Sequence, residues 1–136
     1  MAHRVGATYT RYADDLTFSG DASLSRGARR LEKMVGDIAR DEGFSLNRKK
    51  TWVMGRGARQ RVTGIVVNQG VSVARDEADA IKATLHNCAK HGPQSQARGV
   101  ANFRDVLQGK VAWVEFLNPR RGAALRRQLE TIDWNS

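Results

Sequence analysis

The pattern of apolar residues changes near Ala74, and this change limits the folds that the chain can adopt. Before Ala74, short segments rich in Thr, Tyr, Val, Leu and Phe are separated by polar or glycine-containing turns, which is typical of β-hairpins. After Ala74, apolar residues recur every three or four positions, as they do on one face of an α-helix. The sequence therefore predicts an α+β protein, with a mixed portion over residues 1–74 and an all-helical portion over residues 75–136.

A hairpin is predicted around the acidic pair Asp14-Asp15. The segments Thr8–Arg11 and Leu16–Ser19 are β-rich and flank the pair, so the two acids are expected at the hairpin tip. An amphipathic helix is predicted next, from Ser23 to Glu42, with Gly43 as its stop. Its predicted apolar face consists of Leu24, Leu31, Met34, Val35 and Ile38.

Further segments complete the predicted mixed portion. The basic run Arg48-Lys49-Lys50 precedes a predicted strand over Thr51–Met54 and an exposed Gly- and Arg-rich loop over Gly55–Gln60. The segments Val62–Val67 and Val71–Ala74 are β-rich. They are predicted to form a second hairpin, because Asn68-Gln69-Gly70 between them can take the positive φ of a tight turn.

Three helices are predicted after Ala74. Their apolar faces are Ala78, Ile81, Leu85 and Cys88 in the first, Val100, Phe103, Leu107, Val111 and Val114 in the second, and Ala124, Leu125, Leu129 and Ile132 in the third. Breaks are expected at His91-Gly92-Pro93 and at Asn118-Pro119. Packing in the core is favoured over base stacking for the three tryptophans, Trp52, Trp113 and Trp134, because they occupy apolar positions of predicted elements.

Charge and cysteine content narrow the class of function. The 23 Lys and Arg residues exceed the 14 Asp and Glu residues and give a net charge of +9, which indicates a polyanionic partner such as nucleic acid. A soluble basic protein without such a partner has the same charge. Cys88 is the single cysteine, so an intrachain disulfide is excluded and the reducing cytoplasm is expected. No apolar run approaches the roughly 18 residues of a membrane span, so no membrane partner is expected.

The acidic pair is suited to phosphoryl transfer that depends on metal ions. Two adjacent carboxylates supply the hard oxygen ligands that Mg²⁺ prefers, and Mg²⁺ also binds substrate phosphates. An Asp-Asp pair in a turn is also common because Asp favours turns and stays solvated there. The sequence around Asp14 and Asp15 must therefore decide between a metal site and a solvated turn.

That surrounding sequence resembles a known family. The stretch Tyr9–Gly20, YTRYADDLTFSG, resembles the active-site hairpin of retron-type bacterial reverse transcriptases. Gly43–Asn47 followed by Lys49-Lys50-Thr51 looks like the next palm motif of that family, and Val62–Asn68 resembles its Val-Thr-Gly segment and primer-gripping hairpin. The segments Gly109–Val114 and Leu117-Asn118-Pro119 are similar to a retron thumb. The resemblance implies the C-terminal part of a polymerase palm over residues 1–74 and a helical thumb over residues 75–136.

The resemblance also implies an activity and roles for particular residues. The activity is RNA-directed DNA polymerisation, in which Mg²⁺ supports nucleotide addition to a primer 3′-hydroxyl on an RNA template. Asp14 would be the direct ligand of the catalytic metal and Asp15 would support the same metal site, and Lys50 would be a catalytic cation at the departing pyrophosphate. Tyr12, Ala13, Thr63 and Gly64 would line the nucleotide or the primer. Nucleic-acid contacts are expected from Arg48, Arg56, Arg59, Arg61, Arg120 and Arg121, with Arg126 and Arg127 as further basic residues on the last helix.

Part of the family's site is expected elsewhere. In the family, another metal-binding aspartate and the template-binding fingers lie upstream of the hairpin, whereas only eleven residues precede Tyr12 here. The chain by itself is therefore expected to hold magnesium weakly. It is interpreted as a truncated chain, a gene fragment or one half of a split enzyme with a separate fingers-palm chain. The competing interpretations are a non-catalytic module that binds a primer-template or a cognate structured RNA, and, third, an inert remnant. Antiviral defence is one biological role that the resemblance implies, and another use is left open.

Overall fold

Residues 6–135 are described by the computed structural model, and they divide into two compact units after Thr63. The predicted fold class is confirmed, because small antiparallel hairpins are combined with five α-helices in a mixed and mostly helical arrangement. The functional border expected between residues 74 and 75 stays a prediction. His3, which the sequence predicts to be a surface or capping residue, lies outside the described residues. Among residues 6–135, no helix combines the length and the apolar character that crossing a membrane requires.

The first unit begins with the predicted hairpin. Strand β1, Thr8–Tyr12, pairs antiparallel with strand β2, Asp15–Ser19, in a register that runs from Thr8 opposite Ser19 to Tyr12 opposite Asp15. Tyr9 and Phe18 face each other across the strands with ring centroids 5.2 Å apart, and such cross-strand aromatic pairs stabilise a hairpin. The hairpin predicted around the acidic pair is confirmed.

Helix α1, Ala22–Asp41, follows the hairpin and has well-defined ends. At its start, Asp21 accepts hydrogen bonds from the hydroxyl and the backbone N–H of Ser23, and these bonds hold the pKa of Asp21 below its ordinary value. At its end, Gly43 takes a φ of +79°. The Gly43 N–H donates to the Arg40 carbonyl at 3.0 Å and the Phe44 N–H donates to the Ala39 carbonyl at 2.7 Å. These two bonds form a Schellman motif, so the stop predicted at Gly43 is confirmed.

The apolar face predicted for α1 is covered along only part of its length. Leu31 is buried, Leu24, Met34 and Val35 are half-buried, and Ile38 is exposed. The prediction is therefore wrong for Ile38. After α1, a short 3₁₀ helix over Arg48–Lys50 is capped by Asn47, whose side-chain oxygen accepts from the Lys49 N–H at 3.1 Å.

The strand predicted over Thr51–Met54 is wrong. These four residues have no strand conformation, and all of their side chains are exposed. β-branched and aromatic residues form a strand only where a neighbouring strand supplies hydrogen bonds and packing, and Thr51–Met54 lack such a neighbour within the described chain. Core packing is consequently also wrong for Trp52, whose exposed fraction is 76%. The loop over Gly55–Gln60 is confirmed, with the Ala58 N–H donating to the Gly55 carbonyl at 3.0 Å.

The second predicted hairpin is wrong in its extent. Strand β3, Arg61–Val62, ends the first unit and strand β4, Ile65–Val66, begins the second, and Thr63 and Gly64 between them have φ values of +49° and +87°. A continuous strand over Val62–Val67 is impossible with this backbone. In the second unit, the pairing with the Val71–Ala74 segment is reduced to one antiparallel bridge between Val66 and Ser72, with hydrogen bonds of 2.9 and 3.0 Å.

Helices form the remainder of the second unit. They are α2, Arg75–His91, α3, Gln94–Ala97, α4, Phe103–Leu117, and α5, Pro119–Glu130. Their buried residues form one core, against which Phe103, Leu117 and Trp134 also pack. The core members are Val73, Ala78, Ile81, Leu85, Cys88, Leu107, Val111, Val114, Leu125, Leu129 and Ile132. The breaks predicted around Gly92 and at Asn118-Pro119 are confirmed, and so is the packing of Trp134.

Three predictions about the helical portion are wrong. Val100 is exposed and precedes α4, because Arg98, Gly99 and Asn102 all take positive φ and interrupt the helix before Phe103. Ala124 is exposed, because the buried face of α5 passes through Leu125 and Leu129 instead. Trp113 is 45% exposed on the outer side of α4, where it stacks on the exposed ring of Phe116.

Candidate active-site hairpin and nucleic-acid contacts

The acidic pair lies at a two-residue turn with an unusual backbone. Tyr12 and Asp15 are the last paired residues of the hairpin, so Ala13 and Asp14 form the turn itself. Ala13 has a φ of +53°, in the left-handed region that residues with a side chain seldom adopt. The Arg11 Nε donates to the Ala13 carbonyl at 2.7 Å and thereby stabilises the turn. This geometry places Asp14 at the tip and Asp15 at the first position of β2.

Both carboxylates are available for ligand binding. Asp14 and Asp15 are exposed, and neither side chain has a hydrogen bond or an ion pair within residues 6–135. Arg11 is the nearest cation along the strand, and its Nε is engaged by the Ala13 carbonyl. Two free carboxylates provide hard oxygen donors, and Mg²⁺ commonly binds through one or two carboxylates together with water and substrate phosphates. The two residues therefore fit a magnesium ion.

A cluster of three or more acidic, His or Cys side chains is not found in the described part of the chain. Within residues 6–135 the candidate metal site is therefore the pair alone.

Tyr12 lies beside the acidic pair. Because side chains alternate along a strand, Tyr12 shares one face of the hairpin with Thr10, and its cross-strand partner Asp15 lies on that same face. Tyr12 is 70% exposed, so its ring forms an open surface next to the Asp15 carboxylate. The hairpin thus brings together four of the predicted site residues: Tyr12, Ala13, Asp14 and Asp15.

Lys50 and Arg48 belong to a different local structure. They lie on the 3₁₀ helix whose position is held by the Asn47 cap and by the Thr51 hydroxyl, which donates to the Asn47 carbonyl at 3.0 Å. Both side chains are exposed. In residues 6–135 there is no hydrogen bond or ion pair between Lys50 and the acidic pair, so a catalytic role for Lys50 stays a prediction.

The remaining predicted residues are distributed over the two units. Arg56 and Arg59 lie in the loop over Gly55–Gln60, Arg61 lies on β3, and all three are exposed. Thr63 and Gly64 follow with positive φ, and the Thr63 hydroxyl donates to the Val62 carbonyl at 2.8 Å. A primer contact by Thr63 or Gly64 stays a prediction.

The second unit contains the basic residues of α5. Arg120 is exposed and Arg121 is half-buried in the first turn, where the Arg121 N–H is capped by the Asn118 side chain at 3.1 Å. Arg126 is paired with Glu115 of α4 at 2.8 Å. This pair gives Arg126 a structural role between α4 and α5.

Comparison with curated proteins decides the family. The chain is 40% identical over 128 residues to the Retron Mx65 reverse transcriptase of Myxococcus xanthus. It is 34% identical over 147 residues to the Retron Mx162 reverse transcriptase of the same organism, and 35% identical over 101 residues to the Retron Ec86 reverse transcriptase of Escherichia coli. These matches cover 94%, 98% and 72% of this chain, respectively. The chain belongs to the retron reverse transcriptase family.

The match is to a portion of those retron reverse transcriptases. The chain spans 28%, 30% and 31% of the length of the three relatives. No family model matches the chain. The family resemblance read from the active-site hairpin and the palm and thumb segments is confirmed by these relatives.

One basic surface of this retron family member was missed in the sequence. Arg48 is among the predicted nucleic-acid contacts, whereas the cations of α1 are not. Their spacing of three and four residues was the signal that would have shown a continuous basic face. The affected residues are Arg26, Arg29, Arg30, Lys33 and Arg40.

Proposed function

We propose that this chain supplies part of the active site of a magnesium-dependent RNA-directed DNA polymerase, which extends a DNA primer 3′-hydroxyl on an RNA template. The observation that carries the proposal is a hairpin with two exposed, unpaired carboxylates at its turn, in a chain homologous to retron reverse transcriptases. Asp14 and Asp15 are the proposed metal ligands. Mg²⁺ bound there would lower the barrier to attack by the hydroxyl and stabilise the leaving pyrophosphate.

The other residues of this proposal bind and orient the reactants. Tyr12 and Ala13 border the carboxylates and line the nucleotide or the primer. Lys50 offers an exposed ammonium group that donates a proton or a hydrogen bond to the pyrophosphate. Thr63 and Gly64 present backbone groups to the primer. Arginine side chains neutralise phosphates of the template or the primer at Arg48, Arg56, Arg59, Arg61, Arg120 and Arg121.

A further carboxylate and the template channel are proposed to come from polymerase residues beyond this sequence, in the same protein or in a separate fingers-palm chain. The first unit supports this because several of its large apolar side chains are exposed and suited to burial against more protein. They are Leu16, Ile38, Trp52, Val53 and Met54. We place the assembled enzyme in the reducing cytoplasm, where a buried, unpaired thiol such as Cys88 is stable. We propose antiviral defence as its role.

Primer extension tests the proposal. The chain is mixed with a supplied fingers-palm portion from a related retron enzyme, an RNA template, a DNA primer, deoxynucleotides and Mg²⁺. Synthesis is expected in the mixture, and Asp14→Asn or Asp15→Asn is expected to lower the rate at least about a hundredfold, because an amide is a poor ligand for the catalytic ion. The matched control is Asp105→Asn, which removes one exposed carboxylate on α4. Full synthesis by Asp14→Asn would disprove the assignment of the site.

A second function is favoured by the charge of the chain. Six predicted nucleic-acid contacts are largely exposed arginines on a protein of net charge +9, which also suits a non-catalytic module that binds RNA or a primer-template. The two functions differ in their need for the acidic pair. Affinity that survives Asp14→Asn and needs no magnesium, without synthesis in the mixture, would favour the binding module.

A further inference from the structure

One side of α1 is a continuous basic stripe. At about 100° per residue, an arc of about 100° contains Arg26, Arg29, Arg30, Lys33 and Arg40, and Asp37 is the one acidic residue of α1 within it. This arc is opposite the buried Leu31, and all five cations are exposed. Arg26 and Arg40 are about 21 Å apart along the axis, which is long enough to follow several phosphates of one strand.

Most of this charge is not neutralised within the described part of the chain. Arg40 forms an ion pair with Asp37 at 3.1 Å, and Arg26 interacts electrostatically with Asp21. Arg29, Arg30 and Lys33 have no ion-pair partner in residues 6–135. Three adjacent cations on one helix face repel one another at the helical spacings of three and four, so an external anion there is favourable.

The stripe borders a cleft of about 550 Å³ between α1 and the segment that follows it. The lining includes Arg29, Lys33 and Arg40 of α1 and Arg48 of the 3₁₀ helix, together with the acidic residues Glu32 and Asp37. Gly36 also lines the cleft, and a Cβ there would make an ordinary van der Waals contact of 3.5 Å with the Leu46 side chain. Phe44 also lines the cleft and is 72% exposed. The Schellman motif at the end of α1 places Phe44 there.

We propose that this cleft and the adjoining stripe bind a single strand of nucleic acid, at a site separate from the active-site hairpin. The cations contact successive phosphates, and the ring of Phe44 stacks on an unpaired base. A single strand is specified because a base within a duplex has no free face for Phe44. The inference does not depend on the proposed polymerase activity, because it concerns binding in the absence of magnesium and of synthesis.

Fluorescence anisotropy with the full chain and a labelled poly-dT strand of about 20 nucleotides, without magnesium, tests the cations. Arg29→Gln/Lys33→Gln is expected to weaken binding about tenfold and to make it less salt-dependent, because two phosphate contacts are lost. The control Lys82→Gln/Lys90→Gln removes the same charge from exposed positions on α2, and a change below about twofold is expected because net charge alone contributes little. Circular dichroism verifies that each variant is folded.

The charge-conserving variant Arg29→Lys/Lys33→Arg is expected to keep its affinity, which separates charge from the fit of each side chain. Equal losses in the two Gln variants would overturn the proposal, because binding would then follow net charge. Unchanged affinity in Arg29→Gln/Lys33→Gln would overturn it as well.

Phe44 is tested separately. Phe44→Leu keeps an apolar side chain and removes the aromatic ring, so affinity for poly-dT is expected to fall about fivefold, the low end of the contribution of one stacked base. Affinity for an abasic strand of the same length should not change. Poly-rU should bind with the same affinity as poly-dT, because the proposed contacts are made to phosphates and to the faces of bases, which both strands have. Equal loss on the abasic strand, or preferential binding of a duplex, would contradict a single-strand cleft.

Discussion

Ala13 shows how much of the candidate active site depends on a single residue's backbone. Its φ of +53° is ordinarily adopted by Gly or Asn, and in a residue with a side chain it costs roughly 1–2 kcal/mol. The hydrogen bond from Arg11 Nε to the Ala13 carbonyl offsets part of this cost. The result is a two-residue turn that keeps Asp14 and Asp15 adjacent and leaves both carboxylates unpaired.

The burial of Cys88 leads to a prediction about the reactivity of its thiol. Its thiol is buried among the helices of the second unit, and burial raises its pKa above the ordinary value of 9.0. The thiol is therefore expected to react with iodoacetamide at least about a hundredfold more slowly in the native protein than in denaturant, since access and ionisation are both suppressed. Alkylation followed by mass spectrometry measures both rates.

The same raised pKa predicts a direction for stability against pH. Below pH 9.0 the thiol is neutral in both states and its contribution to stability is fully present. Above pH 9.0 the unfolded state loses the proton first, so the free energy of unfolding falls as the pH rises through the folded pKa. Urea titrations should show this loss in the natural sequence and a flatter alkaline limb in Cys88→Ala. Parallel curves for the two proteins would contradict it.

Among the secondary-structure elements, the packing of α4 against α5 depends on one glycine, Gly122. A Cβ at Gly122 would lie 2.1 Å from the Glu115 Cα, so the two helices approach more closely there than a side chain permits. The Arg126–Glu115 ion pair and the buried Val114 and Leu125 lie near the same crossing. Asn118 alone separates α4 from α5, so the two helices meet close to their connection.

Gly122→Ala is therefore expected to destabilise the second unit by about 1–3 kcal/mol, because the helices must separate to admit the methyl group. The control is Gly109→Ala on α4, where nothing lies within 4 Å of the added Cβ. There the better helix propensity of Ala should stabilise by about 0.5–1 kcal/mol. Urea denaturation followed by circular dichroism measures both changes, and a stabilised Gly122→Ala protein would refute the close-contact interpretation.

The charge of the whole molecule is unevenly distributed. Of the 23 Lys and Arg residues, 13 precede Gly64, together with 7 of the 14 acids, so the first 63 residues carry +6 of the net +9. This portion contains the acidic hairpin, the 3₁₀ helix, the basic loop and the stripe of α1. A strongly basic surface attracts polyanions and increases their rate of association.

The affinity of the whole chain for single-stranded nucleic acid is therefore expected to fall more than about tenfold between about 50 and 200 mM salt. The reason is that binding releases counterions from the phosphates, and this release is less favourable at higher salt. Asp14→Asn should bind at least as tightly as the natural sequence, because it removes one negative charge from a protein that binds a polyanion. Salt-titrated anisotropy measures both effects. Affinity that is independent of salt would show that phosphate contacts do not dominate binding.

Much of the local structure was determined by the sequence alone. The hairpin around Asp14-Asp15, the extent of α1 and its stop at Gly43, and the buried face Ala78, Ile81, Leu85 and Cys88 follow from side-chain periodicity and from glycine geometry. These features depend on residues close together in the chain, so their pattern can be read directly. The family too was indicated by local segments, since the ordered motifs of the hairpin, palm and thumb are contiguous stretches.

Tertiary structure decided the features that depend on distant neighbours. Thr51–Met54 has the composition of a strand but no pairing partner, and Val62–Val67 is interrupted by the backbone of Thr63 and Gly64. Trp52 and Trp113 have large apolar side chains of the kind that usually pack in a core, but both are exposed. Likewise, the spacing of the α1 cations was readable from the sequence, whereas the cleft that brings Arg48 and Phe44 beside them arises only from the fold. Burial and strand pairing require a second surface, and no short segment of sequence states where that surface will be.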